Sequence, residues 1–170
     1  MQARDHAKAA ALGISGIVMA TAILSPCGTP NMGIGLYIGA PLYARLLHPL
    51  VHTGLVHAIL NVYVWLQIVF FCPIRLRHLF TAWLITCCCP TAIATLGAAS
   101  TDHVVGLSGI IYVLLGTQMN RARDRVSYNI WIATYLFMGW LIGGVAVAFH
   151  LYCYLMGIII RSAGVQKFRS

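Results

Sequence analysis

Glutamate is absent from this chain, and its acids are limited to Asp5, Asp102 and Asp124. Charged residues make up only 8% of the sequence, against roughly 25% in a soluble domain. So little charge cannot cover a water-facing surface, which excludes an ordinary soluble fold. Metal-ligand spacing is missing as well. The six cysteines, Cys27, Cys72, Cys87, Cys88, Cys89 and Cys153, contain no C-x2-C pair. Three in a row inside an apolar run point in different directions around a helix. They read as small apolar residues rather than a disulfide framework. No internal repeat or linker is present.

What fills the chain is apolar sequence: 60% of its 170 residues are hydrophobic, with a mean hydropathy of +0.84. A membrane-spanning helix takes about 20 apolar residues, so the chain is expected to be a single membrane domain. Apolar segments lie at about 9–24, 49–71, 78–98, 104–118, 127–143 and 145–160. The breaks are basic or turn-forming: Pro26 to Pro30, Cys72 to Arg77, Gly97 to His103, Asn120 to Arg125, and Gly143-Gly144. A continuous helix over 127–160 would run about 50 Å at 1.5 Å per residue, too long for a 30 Å hydrocarbon core. A break at the glycine pair is therefore expected. The expected fold is all-α, a polytopic six-transmembrane-helix bundle. The polar start, Met1 to Lys8, followed by Ala9 to Leu24, reads as an uncleaved first span.

Charge gives an independent test of that topology. With six spans, one side receives Arg4, Lys8, Arg75, Arg77, Arg121, Arg123, Arg125, Arg161, Lys167 and Arg169, and the other receives Arg45 alone. The positive-inside rule makes the first side cytoplasmic, with both termini on it. The formal charge of +8 is thus explained by topology, and no nucleic-acid partner is expected. The first connection, about 25–48, then lies outside. It is rich in Gly, Pro, Leu and Tyr. Irregular backbone that apolar is tolerated at membrane depth only against protein or a wet cavity.

Polar side chains within such spans are costly and are functional candidates. Here they are His52, His57, Asn61, Ser108 and His150. His57 and Asn61 are four apart and share a helix face, which suits either interhelical hydrogen bonding or a pair of donors. Ser108 stands in Gly106-Leu107-Ser108-Gly109, with Tyr112 and Gly116 following at intervals of four. The glycines suit close helix packing, and Asp102-His103 puts the serine near water. His150 is followed by Cys153 and Gly157. A serine needs a base in contact to become a nucleophile, and its tetrahedral intermediate needs donors. These residues supply one nucleophile, one base and two donors. With no carboxylate at that depth, they form a Ser-His dyad whose imidazole has Tyr112 as the obvious ring to stack on.

In this pattern the chain resembles the rhomboid family of intramembrane serine proteases over about residues 43–157. His52-x4-His57-x3-Asn61 is similar to the family's second-helix motif, and Gly106-Leu107-Ser108-Gly109 with Tyr112 and Gly116 to its nucleophile motif. His150 with Gly157 is similar to its sixth-helix motif. The resemblance implies Ser108 as nucleophile and His150 as general base. It gives the oxyanion hole to His57, Asn61 and the Ser108 N–H, with His52, Gly106, Gly109, Tyr112 and Gly157 in support. It implies single-span membrane proteins as substrates, no cofactor, no metal, and a multi-pass place in a bacterial cytoplasmic membrane. Cys153 stands in place of a family glycine, and Tyr43-Ala44-Arg45 stands near the position of a family Trp-Arg pair. The connection between the fifth and sixth spans is short. The alternative is a catalytically inactive relative that binds membrane clients, although such relatives typically lack the serine or the histidine. A haem or metal carrier built on His52, His57 and His150 would leave the serine motif without a role. Substrate identity and oligomeric state are open at this level.

Overall fold

The structure, a computed structural model, describes residues 2–24, 33–96, 103–142 and 145–166. The expected breaks at Pro26 to Pro30 and at Gly143-Gly144 lie outside the described residues, as do Cys27, Asp102, Lys167 and Arg169. The described chain is all-helical: α1 (Gln2–Leu24), α2 (Leu42–Leu47), α3 (Leu55–Phe71), α4 (Leu76–Cys87), α5 (Thr91–Ala94), α6 (Ser108–Gln118), α7 (Arg125–Ile142) and α8 (Val147–Gln166). The extended pairing it contains is an isolated bridge between Leu36 and Val104.

The helix α1 buries Ala7, Ala11, Ser15, Val18 and Ala22, a stripe at intervals of four or three that marks one helix face. These small residues let α3 approach, and the indole N–H of Trp65 donates to the Ala11 carbonyl at 3.3 Å. By itself α1 is long and apolar enough, over Arg4–Leu24, to cross a membrane. Residues Leu42–Leu50 and Leu55–Phe71 would form a second such stretch, but they are bent by 80° against each other.

Two expected boundaries are corrected, the first by that bend. The segment expected from residue 49 becomes regular helix only at Leu55. Pro49 sits in a 3-10 turn over His48–Leu50, and Gly54 precedes the helix, so the chain turns before it coils. His52 therefore lies in the bend and not on the helix with His57 and Asn61. The segment expected over 78–98 is likewise interrupted. Its helix α4 stops at Cys87, and Pro90, which cannot continue a helix, opens the short α5. The freed carbonyls of Cys87 and Cys89 accept from Arg45 Nε at 3.0 Å and Nη2 at 2.6 Å. This ties α2 to the end of α4.

At the centre stands α6, with Gly109, Ile110, Ile111, Val113, Leu114 and Gly116 buried. It packs on α8 most extensively, then on α4 and α3. A Cβ on Gly157 would collide with the Val113 carbonyl, and one on Gly116 with the Tyr154 carbonyl. The two backbones touch, and only glycine permits it. The helix α7 is different: it packs on α8 and on the turn Met119–Arg121, and exposes Ile130, Trp131, Tyr135, Phe137, Trp140 and Leu141. Its start is capped by Asp124, whose Oδ1 accepts from the Val126 N–H at 2.9 Å and the Ser127 N–H at 3.2 Å.

Candidate active site

Ser108 is the first residue of α6, where backbone N–H groups lack intrahelical partners. His150 lies in the first turn of α8. The two helices enter from the same end and touch at their glycines, which brings these side chains together. His150 Nε2 lies 2.7 Å from Ser108 Oγ. The imidazole stacks on Tyr112, with centroids 4.7 Å apart and planes inclined by 27°. Its other nitrogen, Nδ1, is buried without a hydrogen-bond partner. Among the described residues no carboxylate orients this ring; the Tyr112 face and the neighbouring Phe149 hold it.

Comparison of the chain with protein-family models, with curated proteins and with solved structures gives no match.

The remaining candidates surround the serine unequally. Gly106 has φ +112, a left-handed value that favours glycine. A Cβ there would lie 3.3 Å from His52 Nε2 and 3.5 Å from His57 Cε1. The missing side chain thus lets both imidazoles reach the serine loop. His52 Nε2 accepts from the Leu107 N–H at 3.3 Å, so His52 supports the loop from its bend. His57 Nδ1 pairs with Thr53 Oγ1 at 3.0 Å. Asn61 lines the same cavity as Ser108, while its amide nitrogen donates to the His57 carbonyl at 2.9 Å. One N–H of that amide is left for another acceptor. Gly109 is locked between Phe149 and Thr86, each 2.6 Å from where a Cβ would be. Cys153 is fully buried.

Sequence reasoning missed His48, a fully buried residue. Its Nδ1 donates to the Arg45 carbonyl at 2.6 Å, and its own carbonyl accepts from the Gly106 N–H at 2.9 Å. A chain of bonds thus runs from the end of α4 through Arg45 and His48 to the serine loop. The signal was present, since a histidine next to a proline in an apolar stretch needs a polar partner, but nothing in the spacing named that partner. Leu36 and Val104 exchange both backbone bonds, at 2.9 and 3.2 Å, pinning the long connection to the segment that leads to Ser108.

Beside the dyad is a cavity of about 580 Å³. It is lined by Asn61 and Val64 from α3, Ser108 and Tyr112 from α6, and Trp131 and Tyr135 from α7. It is a cleft between α3 and α7, apolar on its walls, with the serine hydroxyl at one end.

Proposed function

We propose that this chain is an intramembrane serine endopeptidase of the rhomboid kind. Its substrates are membrane proteins cut within or beside a spanning segment. The observation that carries the reading is the 2.7 Å contact between Ser108 Oγ and His150 Nε2 at the end of an apolar cleft between helices. An apolar cleft suits a segment arriving from lipid rather than from water.

In this mechanism His150 Nε2 takes the Ser108 proton as Oγ attacks the scissile carbonyl, giving a tetrahedral oxyanion. The free N–H groups of the first turn of α6 and the second N–H of Asn61 stabilise that charge, with His57 beside them. Collapse breaks the C–N bond, and His150 returns the proton to the leaving amine. Water, with His150 again as base, then hydrolyses the serine ester. Tyr112 holds the ring in the place where a triad would use a carboxylate.

The membrane reading makes α1, α3, the interrupted α4–α5 pair, α6, α7 and α8 the six spans, with both termini cytoplasmic. The exposed apolar surface of α7 and of α3 (Val56, Leu60, Tyr63) suits hydrocarbon, since a contiguous patch of that kind is rare on a soluble monomer. The 11 residues of α6 are too few to span a bilayer alone. A short helix is tolerated in the centre of a bundle, where a wet hollow lies above its start.

The test is labelling with a serine-reactive fluorophosphonate in reconstituted vesicles. Wild type is expected to label, and Ser108→Ala and His150→Ala to lose both label and turnover of single-span substrates, the latter by about six orders of magnitude. Labelling that survives Ser108→Ala would refute the reading.

A further inference from the structure

At the end of the bundle opposite the dyad, where α8 packs on the turn Met119–Arg121, arginines from separate elements lie within reach of His78. Arg75 precedes α4, Arg77 lies in its first turn, Arg121 ends the turn after α6, and Arg161 lies near the end of α8. The charges acting on His78 are those of Arg77, Arg161, Arg121 and Arg75, all of one sign. Like charges held together repel, and among the described residues the carboxylates at this end are those of Asp5 and Asp124 alone. The Asp124 carboxylate is taken by the first turn of α7. Among the described residues, Arg121 donates to the Gln118 side-chain oxygen, at a long 3.4 Å. Arg161 Nε is buried with no hydrogen-bond partner. Guanidinium forks in such number fit phosphate oxygens, which accept bidentate bonds.

A second feature adjoins this cluster. Between α1 and α4 runs a groove of about 500 Å³ lined by Ile14, Leu76, Leu79, Phe80 and Trp83, with Arg77 the charged residue on its wall. An apolar trough carrying a guanidinium has the two-part character of a phospholipid.

We propose that this corner binds one anionic phospholipid, its phosphodiester among Arg75, Arg77, Arg121 and Arg161 and an acyl chain in the trough between α1 and α4. The site rests on the membrane reading, which puts these arginines at the depth of the cytoplasmic headgroups, where basic pockets between helices hold such lipids. It is independent of the dyad. Binding would join α1, α4, α6 and α8 at the end where the chain's own charges push them apart.

The experiment is thermal unfolding of the purified full chain in neutral detergent micelles, titrated with phosphatidylglycerol, phosphatidylcholine or inorganic phosphate. Phosphatidylglycerol is expected to raise the midpoint. The other two are expected to leave it nearly unchanged. The double variant Arg121→Gln/Arg161→Gln should bind phosphatidylglycerol about 30-fold more weakly, from roughly one lost basic contact each. The control Arg123→Gln/Arg125→Gln removes the same charge from the same end, outside the cluster, and should respond as wild type does. Equal weakening in both double variants would mean diffuse surface charge and overturn the site. An equal response to phosphatidylcholine would also overturn it. So would an equal response to inorganic phosphate, which would mean a free-anion site. Should the Arg121/Arg161 variant fail to fold, Arg161→Lys keeps the charge but loses the fork. That variant should weaken binding measurably, and unchanged binding would overturn the proposal. Carbonate extraction separates the two readings. Release of the protein from membranes would refute membrane insertion itself, whereas a retained protein indifferent to lipid charge would refute only this site.

Discussion

Two regions beside the cleft, the α6–α8 pair and α7, are built on opposite principles. On one side α6 and α8 meet backbone to backbone through Gly116 and Gly157, with Phe149, Cys153 and Ile110 fully buried around them. On the other side α7 leans on its neighbours near its start. Tyr128 donates to the Leu115 carbonyl at 2.8 Å and Tyr154 to the Asn129 side-chain oxygen at 2.8 Å. Both tethers join its first turns, and beyond them its side chains are largely exposed. Chemistry that depends on a 2.7 Å contact is carried by the pair that cannot slide. Under the proposed function, the side by which a membrane substrate would enter is the one with few attachments.

The strongest way to break this contrast is to insert volume into the rigid pair. Gly157→Val is expected to destabilise the fold by more than about 3 kcal/mol, because the collision is with the Val113 main chain and cannot be relieved by a rotamer. Trp131→Ala, on the exposed face of α7, should change the unfolding midpoint little. Equal losses in the two variants would show that the two regions do not differ. Second in size is Asn61→Ala, expected to lower kcat by roughly 10² with the fold intact, as removal of one oxyanion donor does. Unchanged kcat would remove Asn61 from the hole. Third is Tyr154→Phe, which deletes one tether of α7. It should cost about 1 kcal/mol and raise hydrogen exchange in α7 more than in α6. A uniform rise across both helices would argue against a separately attached α7.

The smallest effect concerns the start of α7. The Ser127 hydroxyl, together with the backbone N–H groups of Ser127 and Val126, holds the Asp124 carboxyl below its usual range. As pH falls, the unfolded chain takes up this proton first. The contribution of the cap is therefore complete above the ordinary carboxylate pKa, and disappears as pH drops through the lowered folded value. Exchange protection in the first turn of α7 should decline across that acid window in wild type and stay flat in Asp124→Asn. A wild-type decline that persists in Asp124→Asn would assign it to another group.

Helical class was legible because apolar runs without strand alternation leave little else, and Ser108, Tyr112 and His150 were legible because each stands on a stripe of small residues. The position of His52 was not. Its spacing to His57 looks helical, but Gly54 and the 80° bend between Leu50 and Leu55 override the periodicity. The extent of α4 was hidden for a related reason. Cys87 to Cys89 continue the apolar run, whereas Pro90 and the pull of Arg45 on their carbonyls end the helix. The role of Arg45 and His48 was illegible because their partners are backbone atoms far along the chain. Hydropathy and spacing are silent about such partners.

The glycine contact has a mechanical consequence. Gly157 follows His150 by seven residues, about 10 Å along the axis at 1.5 Å per residue. Pivoting α8 about that point by some 5° would carry the imidazole roughly 1 Å from the hydroxyl, enough to lose about 10² in rate. Under the proposed mechanism, the crossing point of two helices, two turns away from the dyad, works as a fulcrum that sets how far proton donor and acceptor stand apart. A substitution there that leaves the protein folded could still silence it.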